Sequence, residues 1–308
     1  MGVFKRSKKY EKSDSTPETD NKSDEAIVRA RLQTMKVAPV FSPDWQKNHA
    51  ALRAIAKVAA VEQSKPDNSP TNTLWEREEF VVRLVLESAK LTIILTLLTE
   101  SFDEEERIMD VAVLEKAGKM MGCTSKAAVA EYYQYRSNLC LLFKCCLDYV
   151  ESVQLIDLTI LVRLMARNFG RIIDNRLDAG QAKSIFMFQI FYMYNIGRRI
   201  EEINSAKVIA AIIESDCMRL YLDCLFNHRD LISQEILITA FEGLSALSDS
   251  EAFQDVLPQI IDVECAKMIT SNDAEVLQPI LAIPEENLRL SPLIDLINHS
   301  YKVMDDQQ

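Results

Sequence analysis

Apolar residues recur along this chain at helical spacing, in a run of segments of similar length. Only 7 glycines occur in 308 residues, and no alternating strand-type stretch separates the segments. The pattern predicts an all-α protein. A short helix is expected from Asp24 to Met35, with Ala26, Ile27, Ala30 and Leu32 as a weak apolar stripe. The helical body starts at Ser42-Pro43-Asp44, where Ser42 can cap a helix and proline fits the first turn without losing a hydrogen bond. Leu52, Ile55, Ala56, Ala59 and Ala60 form the apolar face of that first helix. Residues 64–73 have the composition of an exposed loop.

A long helix is expected over 74–101. Asp103-Glu104-Glu105-Glu106 then supplies the acidic first turn that a helix macrodipole favours, with Gly122 as the stop. Ser125 opens a helix to about residue 152, and the segments that follow are regular: 155–169, 181–203, 206–227, 231–247, 251–270 and 274–298, the last interrupted by Pro284 and Pro292. Starts ~21–25 residues apart give a two-helix unit near 43 residues, as in stacked helical hairpins. One internal echo supports a repeat. Leu225-Phe226-Asn227-His228-Arg229-Asp230 ends an apolar pair in a polar turn, and Met268-Ile269-Thr270-Ser271-Asn272-Asp273 does so 43 residues later. Leu237 and Ile280 each follow their aspartate by seven residues.

The stretch from Asp230 to Ser248, a capped start followed by leucines and a closing Leu-Ser, resembles the last helix of an armadillo repeat, and the unit length is similar to that of HEAT and armadillo proteins. The resemblance covers the last third of the chain, chiefly residues 206–298, and implies an α-solenoid of armadillo/HEAT-like helical hairpins. Nuclear-import armadillo proteins hold basic peptides on Trp/Asn pairs four residues apart. Here Trp45 is followed at that spacing by His49 and Trp75 by Glu79, so a cargo receptor of that type is not implied. The expected organisation is a disordered basic tail with a short helix over 1–41, a helical-repeat body over 42–303, and a disordered terminus over 304–308.

Charge refines this picture. The net charge is −11, yet residues 1–36 hold nine Lys/Arg against six Asp/Glu, which leaves the remainder at −14. An acidic body disfavours a phosphate backbone, so nucleic acid is not an expected partner. The longest apolar stretches fall well short of the ~20 residues of a membrane-spanning helix, and the start of the chain lacks the apolar core of a secretory signal. Seven cysteines, an odd number placed inside apolar helices, read as free thiols in a reducing compartment. The expected location is cytoplasmic, with nuclear or peripheral membrane association as further options.

Candidate chemistry is sparse. Cys224 and His228 stand four apart on a predicted helix, but two ligands do not make a zinc site, and no CxxC, HxxxH, HExxH, GxSxG or phosphate-binding glycine loop occurs. The paired acids Glu201-Glu202 and Glu285-Glu286 read as solvated faces, and Cys145-Cys146 as core thiols. No catalytic, metal or cofactor residue is nominated, and the expectation is a protein that is not an enzyme. The N-terminal cluster Lys5, Arg6, Lys8, Lys9 and Lys12, behind Gly2, is a candidate lipid-binding or import tail, although Arg6 occupies the place where a myristoylation motif wants Ser or Thr. Residues 185–196 are apolar on nearly every side, which predicts a helix buried all round or one covered by a partner. Phe188, Phe191, Tyr192 and Tyr194 are the candidate partner surface.

Together these readings lead to a non-catalytic adaptor or scaffold that presents a curved helical surface to a partner peptide or helix. The acidic body favours a basic or amphipathic helical segment as partner. The competing expectation is a membrane-associated regulator of a signalling partner, tethered through the basic tail to a membrane surface.

Overall fold

The computed structural model describes residues 18–59, 78–149, 155–203, 205–248, 250–256, 260–269 and 305. Among these the chain is all-helical, with no strand. The basic tail through Lys12, the loop 64–73, the helix expected over 274–298 and the Asp273 half of the internal echo lie outside the described residues.

The first helix, α1 (Glu18–Thr34), is longer than expected and uses a different face. Val28, Leu32 and Met35 are buried, whereas Ala26, Ile27 and Ala30 point outward. The 28–32–35 spacing is one helical stripe, and it packs on α2 (Pro43–Ala59). The entry to α2 is as the sequence predicts: the Trp45 amide donates to Ser42 Oγ at 3.1 Å, and Asp44 in the first turn pairs with Lys36 and Lys47 at 2.7 and 2.9 Å.

The helix expected over 74–101 is two helices, α3 (Glu78–Glu87) and α4 (Leu91–Asp103). The break is at Ala89, held in the left-handed region at φ 51°, with Lys90 Nζ donating to the Met35 carbonyl at 3.2 Å. The next expected helix also divides, into α5 (Glu105–Ile108) and α6 (Val111–Met121), because Asp110 caps α6 by accepting from the Ala112 and Val113 amides at 2.9 and 3.2 Å. Gly122, at φ 67°, closes α6 in the left-handed conformation that glycine adopts without strain. Thr124 then caps α7 (Ser125–Leu147).

Asp157 and Asp178 cap α8 (Leu158–Ile173) and α9 (Ala179–Arg199). The single helix expected over 206–227 is α10 (Ser205–Glu214) and α11 (Cys217–Asn227), turned at Asp216 with φ 56°. After α12 (Gln234–Ser248), the helix expected over 251–270 is reduced to α13 (Glu251–Gln254) and a helical stretch over 263–269.

Packing does not simply follow chain order. Helix α9 lies between α7 and α12, and α8 lies between α4 and α11, so two rows form: α7–α9–α12 and α4–α8–α11. Within the first row the α9–α12 approach is close because glycine faces glycine. A Cβ on Gly197 would stand 2.6 Å from the Gly243 carbonyl oxygen, and one on Gly243 would stand 2.9 Å from Tyr194 Cα. One contiguous apolar core runs from Val28 to Ile269 through both rows.

Arginines on α8 tie the second row to its neighbours. Arg163, Arg167 and Arg171, spaced i, i+4, i+8 on one face, pair with Glu214, Asp103 and Glu105. Glu105 is also paired with Arg136 of α7 at 2.9 Å, and the Arg136 guanidinium lies over the rings of Phe102 and Tyr133 at 4.6 and 4.9 Å. That carboxylate therefore joins α5, α7 and α8 in the interior.

Candidate interaction face

Helix α9 decides where a partner surface can lie. From Ile185 to Ile200 every residue is buried except Met187, Phe191, Tyr194 and Arg198. Steps of four, three and four place these on one stripe. Of the four aromatic residues expected to form a partner surface, Phe191 and Tyr194 are partly exposed on this stripe. Phe188 and Tyr192 are corrected to the core: both are buried, Tyr192 stands edge-on to Phe143 at 5.6 Å, and its hydroxyl donates to the Cys140 carbonyl at 3.2 Å. The other three sides of α9 are covered by α7, α8 and α12, which is why its apolar residues point in nearly all directions.

The neighbouring helices of the row extend the stripe. In the second half of α7 Ser137, Leu141 and Lys144 are partly exposed, as is Asp148 just beyond it, and on α12 Ile236, Leu237, Ile238, Thr239, Glu242 and Ala246 are partly exposed. Contacts across the row make one face of them. The Lys144 ammonium lies 5.0 Å above the Phe191 ring and donates to Asp148 Oδ2 at 3.1 Å. Asn195 holds the other Asp148 oxygen at 3.0 Å, while Arg199 donates to the Asp148 backbone carbonyl. The Arg198 guanidinium lies 5.2 Å from the Tyr194 ring centre.

The electrostatics of this face are those of partly dried carboxylates and phenols. Burial raises the Glu242 carboxyl, with Arg198 opposing only in part, and among the described residues Glu242 has no ion pair. Burial likewise raises Glu78 at the start of α3, where Lys144 pulls down and Asp148 pushes up. The Tyr194 phenol is raised by burial against the pull of Arg198, and it also feels Glu242 and Asp148. The Tyr194 phenol thus lies in the field of two carboxylates, Asp148 just beyond α7 and Glu242 of α12.

Other candidates resolve into structure. Cys224 is buried with its thiol toward the Phe169 carbonyl at 3.6 Å, and His228 follows the end of α11; no cluster able to hold a metal ion occurs among the described residues. Cys140, Cys145, Cys146, Cys217, Cys224 and Cys265 are buried free thiols, and burial pushes Cys140 up to about 11 and Cys265 up to about 12. Trp45 is a core residue, 4.9 Å from Tyr135 and 5.2 Å from Phe41. Gly2, Lys5, Arg6, Lys8, Lys9 and Lys12 lie outside the described residues. No helix among the described residues is long and apolar enough to cross a membrane.

Two features escaped sequence reasoning. The register of α9 could not be read because its apolar residues surround the helix, although Arg198 marks the outward row. Glu105 was grouped with its acidic neighbours at a helix start; the signal that separates it is the i, i+4, i+8 arginine series on α8. No family profile, no curated protein and no solved structure matches the chain.

Proposed function

We propose that this protein is a non-catalytic protein-binding adaptor, built as an armadillo/HEAT-like α-solenoid whose α7–α9–α12 row receives a partner peptide or helix. One observation carries the reading: a continuous, partly exposed stripe of Leu141, Met187, Phe191 and Tyr194 crosses neighbouring helices and is bordered by charge on both sides. Aromatic side chains at the centre of such a patch, ringed by polar groups, form the kind of surface in which a few anchors carry most of the binding energy. The two rows support the solenoid reading, since each adds one helix per step in the same order along the chain. In this arrangement the row spacing is wider than the 43-residue unit, since α7, α9 and α12 start at residues 125, 179 and 234.

The mechanism is passive. The shared core of α7, α8, α9 and α12 holds the stripe rigid, so little ordering is left to be done when a partner lies across it. The test is comparative affinity capture with the wild-type chain, the double variant Phe191→Ser/Tyr194→Ser, and Val111→Ser on α6. A partner retained by the wild type and by Val111→Ser but lost from the double variant supports the reading. Identical captured sets for all three contradict it, provided that circular dichroism shows all three folded.

A further inference from the structure

The charges around the stripe indicate what kind of side chain it takes. Moving across the face, Glu78 of α3 acts on Lys144 of α7 and on Asp148 just beyond it, Asp148 and Glu242 act on Tyr194 of α9, Arg198 lies on the Tyr194 ring, and Gly243, the neighbour of Glu242, packs on the Tyr194 backbone. The cations are already engaged. Lys144 is bonded to Asp148 and capped by the Phe191 ring, Arg198 lies on Tyr194, and Arg199 is turned inward to the Asp148 carbonyl. Glu242, half-buried on α12, has no ion pair among the described residues.

We propose that the α7–α9–α12 face binds a basic amphipathic segment of a partner protein, with an arginine or lysine side chain docking at Glu242 beside Tyr194 and apolar side chains seated along Phe191, Met187 and Leu141. This rests on the binding-adaptor reading and specifies its ligand. The face suits a basic segment in three ways. A carboxylate that burial has partly stripped of water gains more from an added counter-charge than a solvated one. The chain's net charge of −11 adds long-range attraction for a cationic segment. The apolar part of the stripe on α9, Met187, Phe191 and Tyr194, runs for about two helical turns at i, i+4, i+7, which matches the anchors of an amphipathic segment.

Binding should also depend on pH in a defined direction. Partial burial raises the Glu242 carboxyl from its ordinary value, with Arg198 on α9 and the Tyr194 phenol as its charged and titratable neighbours. A docked cation favours the ionised form, so binding releases a proton and strengthens as pH rises through that raised value.

The test uses the full-length chain and two capped peptides, one alternating Arg and Leu and one alternating Glu and Leu, titrated by calorimetry at low and high salt. Saturable binding of the Arg/Leu peptide is expected, weakened about tenfold or more by Glu242→Gln, partly retained by Glu242→Asp, and unchanged by Val111→Ser. The wild type should gain affinity as pH rises through the upper carboxylate range, and Glu242→Gln should not. Preference for the Glu/Leu peptide, absence of saturable Arg/Leu binding, or indifference to Glu242→Gln would each overturn the proposal. If Tyr194→Ser weakens binding while Glu242→Gln does not, the charge assignment fails and the docking face stands. Indifference to both removes both.

Discussion

Replacing Glu105 by glutamine removes one charge from a place where two arginines depend on it. Oε2 of Glu105 lies 2.9 Å from Arg136 and 3.0 Å from Arg171, and the three side chains are 7%, 6% and 11% exposed. At an effective dielectric of about 20, two unit charges at this separation attract by about 5 kcal/mol, from which the desolvation of all three groups must be subtracted. The informative quantity is the asymmetry on breaking the set. Glutamine leaves two guanidinium groups inside the protein without a counter-charge, a change that costs about 3–5 kcal/mol. Urea unfolding at neutral pH should therefore show a midpoint lowered by roughly 1 M with an unchanged slope. Arg163→Ala is the control: its pair with Glu214 is 3.5 Å long with both side chains more than 60% exposed, and its loss should cost less than about 1 kcal/mol. The double variant Glu105→Gln/Arg136→Met should recover part of the loss, since the two single changes share a partner. A Glu105→Gln variant no less stable than Arg163→Ala would refute the reasoning.

Gly243→Ala should destabilise by about 1–3 kcal/mol, because its Cβ would stand 2.9 Å from Tyr194 Cα and force α9 and α12 apart; thermal unfolding followed by circular dichroism measures this. Gln189→Met should leave stability unchanged or raise it by up to about 1 kcal/mol in the same assay, since the buried Gln189 amide has no hydrogen-bond partner among the described residues. His49 is held below its ordinary value of 6.5 by burial, with the Glu131 carboxylate 2.6 Å away opposing in part. The folded state thus binds fewer protons there than the unfolded chain, so the stability linked to His49 is present above pH 6.5 and is lost as pH falls through the depressed folded value. The stability difference between wild type and His49→Phe should accordingly change with pH in that window and be flat above it. In a thiol-titration time course, the partly exposed Cys123 should react at once and the buried cysteines only on unfolding.

Local chemistry was legible where it depends on neighbours in sequence. Ser42-Pro43 starts α2 and Gly122 ends α6 because a cap and a left-handed glycine act within a few residues. Breaks without glycine were not legible. Ala89 and Asp216 adopt positive φ at positions whose residue types would continue a helix, and tertiary contacts such as Lys90 to the Met35 carbonyl hold at least the first of them. The reading of α10 and α11 as one helix hid one of the turns between α9 and α12. The interaction face was half legible. Aromatic density singled out α9, but its outward register was set by which sides α7, α8 and α12 cover, and hence Phe191 and Tyr194 are on the face while Phe188 and Tyr192 are not. Glu242 could not be nominated at all, because its proposed role comes from its proximity to Tyr194 across two helices.

Position-dependent photo-crosslinking tests the central claim most directly. A benzophenone side chain replaces Tyr194 or Leu141 on the face, or Val111 or Ile160 elsewhere on the surface. The account predicts one common partner cross-linked from Tyr194 and Leu141, absent from Val111 and Ile160, and lost from the Tyr194 probe when Glu242→Gln is added. Equal labelling from all four positions, or labelling only from Val111 and Ile160, would contradict it.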